Sequence, residues 1–112
     1  MESILTSIKK LLGIEAEYTQ FDPEIIMHIN SVFTDLNQLG VGPAEGFAIE
    51  DDSTTWVEYI PDTLKLQSVK SYICLRIKLL WDNSTMSSSV IASYERQIKE
   101  WEWRLNVAVD PG

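Results

Sequence analysis

A chain of 112 residues with 45% hydrophobic and 23% charged side chains has the make-up of one ordinary globular domain, large enough to bury roughly two-thirds of the surface its unfolded form exposes. The composition excludes a disordered chain, the single cysteine excludes an intrachain disulfide, and the longest apolar runs fall far short of the ~20 residues that a bilayer demands. The net charge is -8, and no stretch with helical spacing presents the Lys/Arg-rich face that would track a nucleic-acid groove. Met1-Glu2-Ser3-Ile4-Leu5 shows neither the basic start nor the small-residue cleavage site of a secretory signal, so folding in a reducing cytoplasm is expected.

The spacing predicts an all-α protein: a small bundle of four main helices, a short helical turn and one long acidic loop. The first helix runs from a Ser3 cap to about Leu12, with Ile4, Leu5, Ile8, Leu11 and Leu12 on one face, and Gly13 ends it. The second, Pro23 to Leu39, is opened by Asp22 as cap with Pro23 in the first helical position, and Gly40 closes it. Ile25, Ile29, Val32, Leu36 and Leu39 form its buried stripe, widened by Ile26 and Phe33. At ~100° per residue Met27 falls on the opposite, polar face. From Gly40 to Thr54 the chain is irregular, carrying Glu45 and the run Glu50-Asp51-Asp52, and loops of this length are often functional.

Thr55 and Glu58 have capping-box spacing over Trp56-Val57-Glu58-Tyr59-Ile60, which Pro61 limits to a turn or two. Trp56 is there either a roof over the core or an aromatic plug for a partner. The helix from about Leu64 to Trp81 is apolar on nearly every side and must be covered all round, by the other helices or partly by a neighbouring subunit. After a break from Asp82 to Ser88, the last helix, Ser89 to Asn106, buries Val90, Ile91, Tyr94, Ile98, Trp101 and Leu105. Trp103 lies ~160° from Trp101 and should project among Arg96, Lys99 and Glu100, where exposed tryptophans tend to be interface anchors. Residues 1–106 are thus expected to form a single helical domain, and 107–112 a C-terminal tail.

No constellation for catalysis emerges. His28 is the only histidine and has no metal-ligand companion, and Cys74 sits in the apolar central helix as an inert thiol. Glu50-Asp51-Asp52 lacks the spaced ligands and glycine of a calcium loop, and Gly40, Gly42 and Gly46 lack the Lys-Ser/Thr pair of a phosphate loop. The expectation is a protein without enzymatic activity, cofactor or metal.

Charge is distributed unevenly. Residues 11 to 64 hold eleven acidic side chains and no Lys or Arg, and all nine bases lie outside that block. Such a molecule is electrically two-sided, either as an ordinary solvated surface or as the basis for head-to-tail self-association.

The segments Ile8-Lys9-Lys10-Leu11-Leu12-Gly13-Ile14, Phe21-Asp22 with Ile25 to Phe33, and Leu36-Asn37-Gln38-Leu39-Gly40-Val41-Gly42-Pro43 resemble the small head-tail connector (adaptor) proteins of tailed bacteriophages. Trp56, Val69 to Ile73, Leu79-Leu80-Trp81-Asp82 and Ile98 to Asn106 continue the resemblance in order, and such proteins also carry a putative DNA packaging label. The resemblance implies a structural virion protein made in the bacterial host cytoplasm. Its subunits would form a ring, dodecameric like the portal above, and extend the DNA channel. Implied partners are the portal, a stopper or tail-completion protein, further copies of the chain, and DNA that passes without specific binding; no membrane is involved. Candidate interface residues are Met27, Trp56, Trp103, Arg104, Val107 and Val109, with the Val107-Ala108-Val109 run able to lie along the portal as an added strand. Glu45, Glu50, Asp51 and Asp52 are candidates to face the lumen or stopper. Two alternatives stay open: a small acidic regulator that binds a host or phage protein, and an acidic DNA mimic.

Overall fold

Ser3 opens the first helix, its hydroxyl accepting from the Thr6 N–H at 3.2 Å, and the chain then runs as α1 (Ile4–Leu11). The computed structural model describes residues 2–109. After α1 come α2 (Asp22–Gln38), the single turn α3 (Trp56–Tyr59), α4 (Thr63–Asp82), a 3-10 turn at Asn83–Thr85, and α5 (Ser88–Val109). The one β feature among the described residues is an isolated bridge between Ser3 and Thr55. The architecture is the expected all-α bundle, with α4 at its centre in contact with each of the other four helices.

Local signals account for most boundaries. Asp62 caps α4 by accepting from the N–H groups of Leu64 and Lys65, and Glu58 accepts from the Thr55 N–H to close the capping box of α3. The end of α2 is a Schellman closure: Gly40, at φ 84°, donates to Asn37 O, and Val41 donates to Leu36 O at 2.9 Å. Val41 and Leu36 are both buried, which adds the apolar contact that accompanies this motif.

The start of α2 departs from expectation. Phe21, not Asp22, occupies the cap position, with no side-chain cap bond, and Asp22 is the first helical residue. Its carboxylate instead meets the ammonium of Lys9, 2.8 Å away. A full ion pair with a buried lysine outcompetes a cap bond to backbone N–H groups, and Asp22 still places negative charge at the positive end of the helix.

The core is built from Ile4, Leu5 and Ile8 of α1, Ile25, Ile29, Val32, Phe33 and Leu36 of α2, Trp56 and Tyr59 of α3, and Leu66, Val69, Tyr72, Ile73 and Ile77 of α4. α5 contributes less than its pattern predicts. Ile98 and Leu105 are buried, Ile91, Tyr94 and Trp101 are half-buried, and Val90 is exposed. The reason is that α5 packs mainly on the single neighbour α4. The chain likewise leaves Leu64 and Leu80 of the central helix exposed, so its own helices do not cover α4 all round. At its other end α5 continues as helix through Val109 instead of stopping at Asn106, because no helix breaker precedes Pro111. Residues 110–112 of the expected tail, and the side chains of Ala108 and Val109, lie outside what is described.

The long connection between α2 and α3 is tied down by asparagines. Asn30 donates to Ile49 O at 3.0 Å and accepts from Ile49 N at 2.8 Å, imitating a strand neighbour, while Asn37 donates to Pro43 O. Gly42 lets this loop approach α3. It has φ 88°, and a Cβ there would sit 2.7 Å from Tyr59 Cε1 of a buried ring packed on Phe33 and Phe47. Gly42→Ala is therefore expected to destabilise the subunit by about 2–3 kcal/mol, from the left-handed backbone and the clash together, read as a lower urea midpoint at unchanged m-value.

Candidate assembly surfaces

The chemically versatile side chains are scattered. His28 on α2 lies 4.0 Å from Glu24 and meets Trp81 edge-on, and Cys74 is half-buried with its thiol pushed toward the neutral form by burial. Among the described residues no three His, Cys, Asp or Glu side chains converge as a metal site would require.

The outer face of α5 is the most prominent feature of the molecular surface. Trp103 is 69% exposed, as its helical angle predicts, and a shallow groove of about 760 Å³ beside it is lined by α5 alone. Arg96, Lys99 and Arg104 border it together with Glu95 and Glu100. Arg104 is held over the half-buried Trp101 ring, 5.2 Å from its centroid, and lies 3.9 Å from Glu100. Val107 continues the exposed face by one turn. Tryptophan is the residue type that contributes most to an interface when a partner desolvates it, so its exposure here makes this face a candidate for contact.

Two other aromatic or apolar candidates separate. Met27 is 59% exposed, on the polar face of α2 as expected. Trp56 is 3% exposed and is a core residue, not a surface anchor. Its indole N–H donates to Ser7 Oγ at 2.7 Å, and its ring carries the Lys70 ammonium at 5.0 Å, so both the edge and one face are already engaged inside the subunit. The capping box aims the ring inward toward α1, which sequence spacing alone did not decide.

The acidic loop is exposed and unneutralised. Glu45, Glu50, Asp51 and Asp52 all lie at the surface, and no basic side chain among the described residues pairs with them. The Ser53 hydroxyl and N–H both donate to Asp51, which holds its carboxyl below the usual pKa and keeps it charged. Glu50, Asp51 and Asp52 rim a second groove of about 510 Å³, whose floor is Leu5, Pro23 and Ile26. Elsewhere the acidic block is partly satisfied within the chain, because Asp22 pairs with Lys9 and Asp35 with Arg76. The expected charge separation therefore survives at the loop and at Glu24, and is neutralised at Asp22 and Asp35 of α2.

The structure also contains a polar network that the sequence reading missed. Arg76 of α4 donates to Asp35 of α2 at 2.7 Å and to the Tyr72 hydroxyl at 2.6 Å, and Tyr72 donates to Glu102 of α5 at 2.8 Å. Burial, followed by the hydrogen bond to Glu102, raises the Tyr72 pKa to about 12. An unfolded tyrosine ionises near pH 10, so the unfolded state sheds a proton that the folded state keeps. Stability from this group is complete below about pH 10 and is lost as pH rises toward about 12. Urea titrations across that window are expected to show a steeper loss for the wild type than for Tyr72→Phe.

No curated protein and no solved structure matches the chain. The family of phage connector proteins matches residues 4–112, which is nearly the whole sequence and every helix described above. The chain therefore belongs to the phage connector protein family, a family of structural components of the phage particle.

Proposed function

We propose that this connector is the head-tail adaptor whose copies form a ring under the portal and extend the channel that DNA follows between capsid and tail. The observation that carries the reading is Trp103, 69% exposed among charged residues on a helix that packs mainly on one neighbour. A subunit with such a face is built to be completed by something else. A ring needs a heterologous contact whose rotation closes, and its symmetry would follow the portal, twelvefold as the resemblance suggests. The part of the acidic loop around Glu45 fits a second role, facing the lumen or the stopper protein below. Phosphates stick to Lys and Arg, and a conduit edged by acidic side chains such as Glu45 gives passing DNA nothing to hold.

Co-assembly of the purified protein with its cognate portal tests the reading, with mass measurement and electron-microscope class averages as readouts. A stacked ring of the portal's symmetry is expected. A stable monomer that ignores the portal would sink the proposal, and a one-to-one complex with another protein would point to a regulator instead. The added-strand mode of portal contact loses its basis, because Val107 to Val109 continue α5 as helix.

A further inference from the structure

We infer that the connector assembles head to tail, with the Trp103 face of α5 on one copy seated in the groove that α1, α2 and the acidic loop form on the next. The inference rests on the ring reading and assigns its contact. Two surfaces left incomplete by the subunit are complementary to one another. One offers a protruding indole among three bases, Arg96, Lys99 and Arg104, and two acids, Glu95 and Glu100, a net positive face in which Arg104 lies 3.9 Å from Glu100. The other offers an apolar floor of Leu5, Pro23 and Ile26 under a rim of Glu50, Asp51 and Asp52, carboxylates for which no base is present among the described residues. The groove's fourth acid, Asp22, is already neutralised by Lys9, so the charge available to a partner is concentrated on the loop.

The loop is also pre-formed. The two Asn30 bonds to Ile49 fix the backbone immediately before Glu50, and the Ser3–Thr55 bridge fixes it just beyond Ser53. A partner therefore meets a rim that needs little ordering, which lowers the cost of association. No residue of α5 lines the groove, and no residue of α1, α2 or the loop lines the Trp103 face. Two different patches in contact make a heterologous interface, the kind that propagates and closes into a ring, and not the self-complementary contact of a two-fold dimer. The opposite charges favour this register over pairing of like faces.

Disulfide trapping tests the contact. In a Cys74→Ser background, Thr19→Cys labels the groove and Glu100→Cys labels the α5 face; both positions are exposed and neither carries the indole or the loop acids. Oxidised in concentrated solution and again on portal rings, the equal mixture of the two variants is expected to give cross-linked dimers. Neither variant alone should do so, and the double variant should give a ladder of higher oligomers. Trp103→Ala, or reversal of Arg96 and Arg104 to Glu, should reduce the yield roughly tenfold or more, the usual effect of losing an interface anchor. Glu50→Lys with Asp51→Lys should restore the yield with the reversed partner. Absence of a mixed cross-link in both settings, or homodimers from either single variant at the same yield, overturns the head-to-tail contact. Wild-type binding to the portal is scored in parallel. A wild-type ring without the mixed cross-link removes this contact and leaves the connector reading standing; a mixed cross-link in solution without portal binding does the reverse.

Discussion

Lys9→Ala is expected to cost the folded chain about 3 kcal/mol of stability. The Lys9 side chain is 2% exposed, and its ammonium lies 3.0 Å from Ala16 O, 2.7 Å from Tyr18 O and 2.8 Å from Asp22 Oδ1. All three ammonium donors thus face an acceptor. Removing them leaves a carboxylate that is 21% exposed, and two carbonyls of the segment joining α1 to α2, without their partner. Residual solvent access at Asp22 keeps the cost at the low end of the range for a broken buried pair. Lys9→Met keeps the packed stem and isolates the polar part, so its loss should be smaller than that of Lys9→Ala. Combining Lys9→Met with Asp22→Asn should recover part of it, since the stranded charge goes too. Urea unfolding of the three variants checks this, and full additivity of Lys9→Met and Asp22→Asn would contradict direct pairing.

The contrast between Lys9 and the helix ends shows what a sequence displays and what it hides. Ser3, Thr55 with Glu58, Asp62 and Gly40 act on backbone groups within a few residues, and each of them appears in the structure in its expected place or, for Asp62, in a place a local rule would have found. Asp22 carries the same local signal and does something else, because a lysine thirteen positions earlier is folded against it. Trp103 was legible because an angle on a helix decides exposure once the buried stripe is known. Trp56 was not, because a single turn has no stripe, and its burial depends on Ser7 and Lys70, distant in sequence. The eleven-acid block was visible as composition, but which acids keep their charge for a partner depended on tertiary pairing.

The same non-local logic governs the loss of Arg76, which reaches furthest across the bundle. Arg76→Met is expected to destabilise the subunit by about 2 kcal/mol and to loosen α5 more than the rest of the bundle. Arg76 ties Asp35 on α2 to Tyr72, and Tyr72 in turn makes the one hydrogen bond among the described residues from α5 to another helix. Asp35 is 46% exposed and can rehydrate, which moderates the cost. Tyr72 is fully buried and loses the donor that its oxygen accepts from. Since the apolar grip on α5 is limited to Ile98, Leu105 and a few half-buried neighbours, the Tyr72–Glu102 bond should matter more to this helix than to a well-covered one. A double-mutant cycle of Arg76→Met with Glu102→Gln should show coupling of roughly 1 kcal/mol, transmitted through the tyrosine. Hydrogen exchange should accelerate in α5 while α1 and α2 stay protected. If Trp103 is the anchor of assembly, this variant should also lose assembly before it loses its fold, because the helix that presents the indole is the element the network orients.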